Sequence, residues 1–306
     1  MFQGVGVVAR VVLVHGIAQQ FEGPETLGLK LGAALRDGVQ LGANLTLEPA
    51  DVACAFYGNA FIEEGTRPAD LPPWDEKYVE DGLEAELLDA WFQRAAELEP
   101  SIPPLDEEGT RSLKAAATSR ALQVKWVRAR LNGLVKADFF QGLGKRFLVS
   151  ELKQVRRYLD DPPTWQAARA SVAEQVGEDT RVIVAHSLGS VVAYEALCEN
   201  PDWPVTDLVT VGSPLGLPLI FRRLSPLPTN GIGAWPAKVL RWTNVADPGD
   251  IVALINTLGP LFASGPNGPV QDRTITNGVK MHDFGRYLTA PTTGAAIAAG
   301  LRQASA

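Results

Sequence analysis

A serine with small neighbours, in the sequence Ala185-His186-Ser187-Leu188-Gly189, has the surroundings that a nucleophile needs. Residues 181–185 are mostly apolar and predict a buried strand, whereas residues 192–197 predict a helix. A sharp strand-to-helix turn exposes a serine hydroxyl at the end of a sheet and leaves room only for small side chains on either side. The pattern therefore predicts that Ser187 is a nucleophile. The simpler alternative is a serine that caps the N-terminus of the helix.

Two backbone amides are candidates for stabilising a negative charge beside Ser187. The N–H of Leu188 opens the predicted helix, where the helix dipole also favours an oxyanion. The second candidate is the N–H of Ile17, which follows His15 and Gly16 at the end of the first predicted strand. A glycine there allows the chain to turn sharply toward the nucleophile. An ordinary turn at the end of a strand is the alternative for this segment.

A serine hydroxyl at neutral pH needs a neighbouring base, most often a histidine. The chain has three histidines. His15 lies at the end of the first predicted strand, and His186 adjoins Ser187 in a direction unsuited to serving it. His282 lies near the C-terminus, in a polar loop that follows the last predicted strand. Elimination and chain order therefore predict His282 as the base, with a surface residue or helix cap as the alternative.

The acid that orients the histidine is expected in the loop after the predicted strand 239–245, which contains two aspartates. Asp247 precedes Pro248 and is typical of a turn. Asp250 precedes an apolar pair that can anchor the loop in the core and fix the carboxylate. We therefore favour Asp250 as the acid, and Asp247 stays open as the alternative.

Alternating strands and helices must position these residues. Apolar runs predict strands at residues 7–14, 51–57, 181–185, 207–211 and 239–245. Leucine and valine recur every four positions over residues 24–39 and predict a helix there. This order predicts an α/β fold with a mostly parallel central sheet flanked by helices.

A long helical segment separates the second and third predicted strands. Residues 59–179 far exceed the roughly 15 residues of a single crossover helix. We therefore predict a helical cap insertion over residues 59–179, whose last helix packs on a core formed by residues 1–58 and 180–306. Residues 59–108 hold 15 acidic and 3 basic side chains, whereas residues 111–157 hold 12 basic and 2 acidic ones.

Both halves of this insertion carry large apolar side chains at approximately helical spacing. As a lid, they would line a pocket for an acyl chain while the basic half makes peripheral contact with an anionic membrane surface. In the simpler interpretation, the apolar faces pack on each other and on the core, and the acidic half neutralises the basic half. We favour this second interpretation.

The composition excludes several classes of protein. Hydrophobic residues make up 46% and charged residues 21%, which argues against disorder. A net charge of -7 does not indicate a nucleic-acid partner. Cys54 and Cys198 lie in apolar stretches, which argues against a disulfide framework or a cysteine-rich metal site. The sequence shows no secretory signature and no apolar run of roughly 18 residues, so a cytoplasmic protein is predicted.

The chain resembles the lipase and esterase members of the α/β-hydrolase superfamily over residues 7–57 and 180–300. The resemblance lies in the A-H-S-L-G pattern around Ser187, the V-H-G-I pattern over residues 14–17 and the G-S-P pattern over residues 212–214. The G-D-I-V pattern at residues 249–252 and His282, with a tyrosine five residues later, resemble the acid and histidine segments. Ala185 stands where this family usually has glycine.

The resemblance implies an α/β-hydrolase fold and a two-step acyl transfer. His282 would take the proton of Ser187 as its hydroxyl attacks an ester carbonyl, and the amides of Ile17 and Leu188 would hold the oxyanion. Water would then release the acyl group, with no cofactor or metal. An acyl ester is the expected substrate, lipids included. A thioesterase or peptidase is the alternative within the same chemistry, and a catalytically silent binding protein is the alternative outside it.

Overall fold

The computed structural model describes residues 9–62, 74–102, 105, 119–140 and 144–303. In these residues, six strands form one sheet in which every neighbouring pair is parallel, in the order β2-β1-β3-β4-β5-β6. The strands are β1 (Val11–Val14), β2 (Val52–Ala55), β3 (Val182–His186), β4 (Asp207–Val211), β5 (Arg241–Ala246) and β6 (Gln271–Thr274). Every residue of β1, β3 and β4 is buried, as expected for central strands covered on both faces.

Helices connect and cover these strands. They are α1 (Pro24–Ala43), α2 (Leu83–Leu98), α3 (Arg120–Leu134), α4 (Lys145–Asp160), α5 (Pro162–Ala173), α6 (Leu188–Glu199), α7 (Pro218–Phe221), α8 (Phe284–Thr289) and α9 (Pro291–Gln303). Short 3-10 turns lie at Pro49–Asp51, Gly58–Phe61 and Asp138–Phe140. None of the helices in the described part of the chain is long and apolar enough to cross a membrane. The cytoplasmic location stays a prediction.

The structure confirms the α/β class and the parallel sheet flanked by helices, and it changes some boundaries. The first strand begins at Val11, and residues 7 and 8 of its predicted range lie outside the described residues. Helix α1 continues to Ala43, four residues beyond its predicted end. Asn44 follows as the C-terminal cap, and its left-handed conformation (φ 50°) closes the last turn.

Strand β6 was not predicted from the sequence. Among the described strands it pairs with β5 alone, and its residues, Gln271–Thr274, are half-buried or exposed. A polar edge strand shows neither the continuous apolar run nor the alternation by which strands are predicted. Its position depends instead on the sheet that is already present beside it.

Alternate residues of the central strands enter two separate apolar cores. Val11, Leu13 and Val182 face one side, where they pack with α1, α8 and α9. Val12 and Ile183 face the other side, where they pack with α6 and with the helices of the insertion. The sheet is therefore a middle layer between two helical layers, and the carboxyl ends of its strands open between them.

Within the described part of residues 59–179, the regular structure is helical. Its last helix, α5, packs on α6 of the core. The large apolar side chains of the insertion, such as Trp91, Phe92, Trp126 and Leu148, lie in the same apolar core as one face of the sheet. The apolar faces therefore pack on each other and on the core, as the simpler interpretation predicts.

The acidic and basic halves of the insertion form ion pairs with each other. Arg128 contacts Glu76 at 2.6 Å, and Arg130 contacts Asp89 at 2.6 Å. The most buried acid is Glu84, whose side chain is 0% exposed and which lies 2.7 Å from Nε of Arg156 and 3.0 Å from Nζ of Lys153. The pairs of Asp89 and Glu84 join α2 to α3 and α4, and the pair of Glu76 joins α3 to the segment before α2, consistent with mutual neutralisation of the two halves. Contact of the basic half with a membrane stays a prediction.

We expect Glu84→Gln to lower the free energy of unfolding by about 1–3 kcal/mol, because the amide cannot neutralise two cations in a buried position. Urea unfolding measures this change. The matched control is Glu97→Gln, since Glu97 forms a 3.1 Å pair with Arg94 but is 66% exposed. That exposed pair should contribute less than about 1 kcal/mol. Equal effects of the two substitutions would contradict a buried ion-pair cluster.

Candidate active site

Ser187 occupies the turn between β3 and α6. Its backbone has φ 53° and ψ −134°, a strained conformation for a residue with a side chain. The turn is held by hydrogen bonds to the carbonyl oxygen of Ser187 from the N–H (2.9 Å) and the hydroxyl (2.6 Å) of Ser190. Because Ser190 donates its only hydroxyl proton there, its 2.7 Å contact with Ser213 is a bond donated by Ser213. The serine pair therefore fixes the strained turn to the end of β4.

The segment after β1 lies directly against Ser187. A Cβ atom added at Gly16 would be 2.7 Å from the Cβ of Ser187, so only glycine permits this approach. Ile17 and Leu188 line the same cavity as Ser187. Ala18 follows with φ 64°, and its N–H donates a 3.1 Å hydrogen bond to Oε1 of Gln154 in α4. The loop that supplies one candidate oxyanion amide is thus held by a side chain of the insertion.

His282 contacts Asp250. Its Nδ1 lies 2.7 Å from Oδ2 of Asp250, whose side chain is 0% exposed. The other oxygen of Asp250 accepts the N–H groups of Val252 (2.9 Å) and Ala253 (3.3 Å). Tyr287 donates its hydroxyl to Oδ2 at 2.9 Å. A carboxylate oxygen accepts, so the proton of this bond lies on Nδ1, and in the neutral imidazole Nε2 then keeps its lone pair.

Asp247 has a different role in the same loop. One carboxylate oxygen accepts the N–H of Gly249 at 2.8 Å, and the other accepts the N–H of Asn277. The N–H of Asp247 donates to the hydroxyl of Tyr287 at 2.9 Å. Asp247 therefore closes the turn that was predicted at Pro248 and joins it to the segment before His282. Of the two aspartates left open by the sequence, Asp250 is the one that contacts the histidine.

His15 is a buried structural residue. Its Nε2 accepts the N–H of Tyr57 at 3.1 Å, so the proton lies on Nδ1, which donates to the carbonyl of Gly16 at 2.6 Å. The ring stacks on Tyr57 with centroids 4.2 Å apart. Burial lowers the pKa of His15 to about 4, so it is neutral at physiological pH. Both ring nitrogens are occupied, and His15 cannot serve as a base.

His186 is also buried. Its ring stacks on Phe284 with centroids 4.6 Å apart, and it lies 4.4 Å from the ring of His282. Burial, with a smaller contribution from His282, lowers the pKa of His186 well below its ordinary value. It is therefore neutral at physiological pH, and its buried Nε2 has no hydrogen-bond partner among the described residues.

A cavity of about 510 Å³ opens at the carboxyl ends of the strands. Ser187, His282, Ile17 and Leu188 all line it. The insertion contributes an apolar wall that consists of Leu87, Trp91, Phe139, Phe140, Phe147 and Val155. The ring of Phe139 lies 6.2 Å from that of His282, so the insertion contacts the site itself.

Three residues of the site were not singled out in the sequence for the contacts that they make. Tyr287 bridges Asp247 and Asp250, Gln154 holds Ala18, and Ser190 holds the turn of Ser187. Each lies in a helix and acts on a residue brought near by the fold. The only sequence signal was the position of Tyr287 five residues after His282.

We expect Gly189→Ala to lower the free energy of unfolding by about 3 kcal/mol, because a Cβ there would lie 2.1 Å from the carbonyl oxygen of His15. Urea unfolding measures the loss. The matched control is Gly28→Ala in α1, where the added Cβ would make an ordinary 3.6 Å contact with the Cβ of Cys54. That control should be neutral or stabilising by up to about 1 kcal/mol. A Gly189→Ala protein as stable as this control would contradict the close approach of α6 to β1.

Comparison of the chain with protein-family models, curated proteins and solved structures finds no match.

Proposed function

We propose that the chain is a serine hydrolase with an α/β-hydrolase fold that cleaves carboxylic esters through Ser187, His282 and Asp250. One observation supports this most strongly. The 2.7 Å contact between His282 and the buried Asp250 lies at the cavity that Ser187, in its strained turn, also lines. A nucleophile, a base and an acid that orients the base are the groups that acyl transfer requires.

In the proposed reaction, Nε2 of His282 accepts the proton of Ser187 while the serine oxygen attacks the ester carbonyl. The carbonyl oxygen becomes an oxyanion, which the N–H groups of Leu188 and Ile17 stabilise. Collapse of this intermediate expels the alcohol, protonated by His282, and leaves an acyl-serine. A water molecule that gives its proton to His282 then releases the carboxylic acid and restores Ser187. Asp250 keeps the proton on Nδ1 throughout.

The proposed substrate is an ester with an apolar acyl chain. The aromatic and aliphatic wall contributed by the insertion supports this, because such a surface favours burial of a hydrocarbon chain. In this proposal residues 59–179 act as a cap that selects the acyl group. The cavity, at about 510 Å³, has the size of sites that bury small ligands.

Labelling with a fluorophosphonate probe tests the proposal. The wild-type chain should be labelled at one serine, and Ser187→Ala should not be labelled. No labelling of the folded wild-type protein would overturn the enzyme proposal, and labelling retained in Ser187→Ala would move the nucleophile elsewhere. Ser171→Ala is the matched control, since it removes a hydroxyl that donates to the carbonyl of Ala168 within α5 and does not line the cavity.

A set of chromogenic substrates then identifies the bond that is cleaved. Matched hexanoyl derivatives should be compared as p-nitrophenyl ester, thioester and p-nitroanilide. We expect turnover of the ester to be fastest, and a faster thioester or anilide would favour the thioesterase or peptidase alternative. A series of ester chain lengths measures the depth of the apolar wall, and turnover of acetyl esters alone would contradict its role in binding.

A further inference from the structure

Three side chains that line the cavity of Ser187 and His282 each have a buried polar atom without a hydrogen-bond partner among the described residues. They are Glu151 in α4 (carboxyl Oε1), Trp91 in α2 (indole Nε1) and His186 in β3 (imidazole Nε2). His186 lies beside His282, whereas Glu151 and Trp91 lie in the insertion, where α2 packs against α4. Buried polar groups are nearly always hydrogen-bonded, because leaving one unpaired costs free energy. The unpaired acceptor of Glu151 and the unpaired donor of Trp91 indicate a ligand that brings a hydrogen-bond donor and an acceptor into the cavity.

Glu151, whose side chain is half-buried with its Oε1 atom out of contact with solvent, differs from the fully buried Glu84. Glu84 lies against two cations, whereas none of the ion pairs in the described residues includes Glu151. Burial raises the pKa of Glu151 to about 8, so the carboxyl is mostly uncharged at neutral pH. Rotation about its terminal bond is soft, and either oxygen can turn toward the cavity. The group can therefore both donate and accept a hydrogen bond.

We propose that Glu151 and Trp91 bind a hydroxyl group on the chain of the ester, so that the substrate is a hydroxylated acyl ester and not a plain hydrocarbon ester. This inference rests on the proposed function for the identity of the ester. A hydroxyl oxygen can accept the indole N–H of Trp91, and its proton can be donated to a carboxyl oxygen of Glu151. The aromatic rings around the two groups bind the carbon chain.

A hydroxyl fits the two groups better than an ammonium group does. An ammonium has only donors, so it leaves the indole N–H of Trp91 without an acceptor. A site for a cation would also be expected to hold an ionised carboxylate, whereas burial favours the uncharged form of Glu151. A hydroxyl therefore supplies both the acceptor that Trp91 lacks and the donor that Glu151 lacks.

Binding to the Ser187→Ala protein tests this inference without turnover. The probes are methyl hexanoate, methyl 3-hydroxyhexanoate, methyl 6-hydroxyhexanoate and methyl 6-aminohexanoate, with affinity measured by calorimetry. We expect at least one hydroxy ester to bind about tenfold more tightly than methyl hexanoate, the effect of one good hydrogen bond to a buried group. A purely apolar cavity would reverse this order, because the hydroxyl would lose its water without gaining a partner.

Three further substitutions in the Ser187→Ala protein assign the preference to these side chains. Glu151→Leu should abolish the preference for the hydroxy ester, and Trp91→Phe, which keeps an aromatic ring, should reduce it severalfold. Glu151→Gln retains a donor and an acceptor and should keep most of it. Urea unfolding of each variant verifies that the fold is intact.

Four results would overturn the inference. They are equal or tighter binding of methyl hexanoate, tightest binding of the amino ester, an unchanged preference in Glu151→Leu, and no binding of any ester. Fluorophosphonate labelling of the wild-type chain separates the two proposals. A labelled Ser187 with no preference for the hydroxy esters defeats only the hydroxyl site, whereas a preference without labelling defeats only the catalytic proposal.

Discussion

Replacing His282 with alanine is expected to lower kcat/KM for p-nitrophenyl hexanoate by a factor on the order of 10⁴ to 10⁶. Without an imidazole, the hydroxyl of Ser187 keeps its proton during attack and is a weak nucleophile. The two other histidines cannot take over. His15 has both ring nitrogens in hydrogen bonds. His186 is buried with its ring stacked on Phe284, and burial lowers its pKa well below the ordinary value, so it is a weak base. Initial rates at saturating and limiting substrate measure the loss.

Imidazole in the buffer distinguishes a chemical role of His282 from a structural one. Part of the lost activity of His282→Ala should return with added imidazole, because a free base can enter the cavity that the side chain leaves. His15→Gln is the matched control. It loses the ring that stacks on Tyr57, so it should lower the free energy of unfolding, and imidazole should not restore its activity. A loss of less than tenfold in His282→Ala would contradict its assignment as the base.

Local pattern was sufficient to predict the centre of the sheet and the turn of Ser187. Strands β1, β3 and β4 are buried on both faces, so their sequences are continuously apolar and easy to recognise. The turn of Ser187 is predictable because the small residues on either side of it are visible in the local sequence. The crowding that requires them comes from another strand end, since a Cβ at Gly189 would lie 2.1 Å from the carbonyl oxygen of His15. His282 followed by elimination, since the chain has only three histidines.

Features that depend on distant partners could not be predicted. Strand β6 is polar and forms only because β5 lies beside it. The unpaired state of Glu151 is not visible in sequence either, because a carboxylate in a basic segment is expected to find a cation. Only the packing of α4 against α2 directs Glu151 into the cavity while Lys153 and Arg156 contact Glu84. The charge division predicted pairing in general but not which acid was left out.

The choice between Asp247 and Asp250 illustrates the same limit at shorter range. The two residues are three positions apart in one loop, and both are aspartates, a residue that favours turns. Which carboxylate reaches His282 depends on the path of the loop that follows β5. Tyr287 defines that path, because its hydroxyl accepts the N–H of Asp247 and donates to Oδ2 of Asp250. One tyrosine in α8 thus separates a turn residue from a residue that orients the histidine.

Asp250→Asn is expected to lower kcat by about 10⁴-fold while leaving the protein folded. The N–H groups of Val252 and Ala253 require an oxygen at their side of the carboxyl, so the new amide nitrogen must face His282. An amide nitrogen there donates to Nδ1 of His282, which moves the imidazole proton to Nε2. In that tautomer His282 has no lone pair with which to accept the proton of Ser187. Steady-state kinetics and urea unfolding of the same preparation measure the two effects.

Asp247→Asn is the matched control, because it makes the same chemical change three residues away. Asp247 accepts two N–H groups, from Gly249 and Asn277, and has no contact with the imidazole of His282 among the described hydrogen bonds. An amide there leaves one N–H facing a donor, so the free energy of unfolding should fall by about 1–2 kcal/mol. Its kcat should fall by less than about tenfold, because the tautomer of His282 is unchanged. An equal decrease in kcat for the two substitutions would contradict the assignment of Asp250 as the acid, since in this assignment Asp250 alone sets the position of the histidine proton.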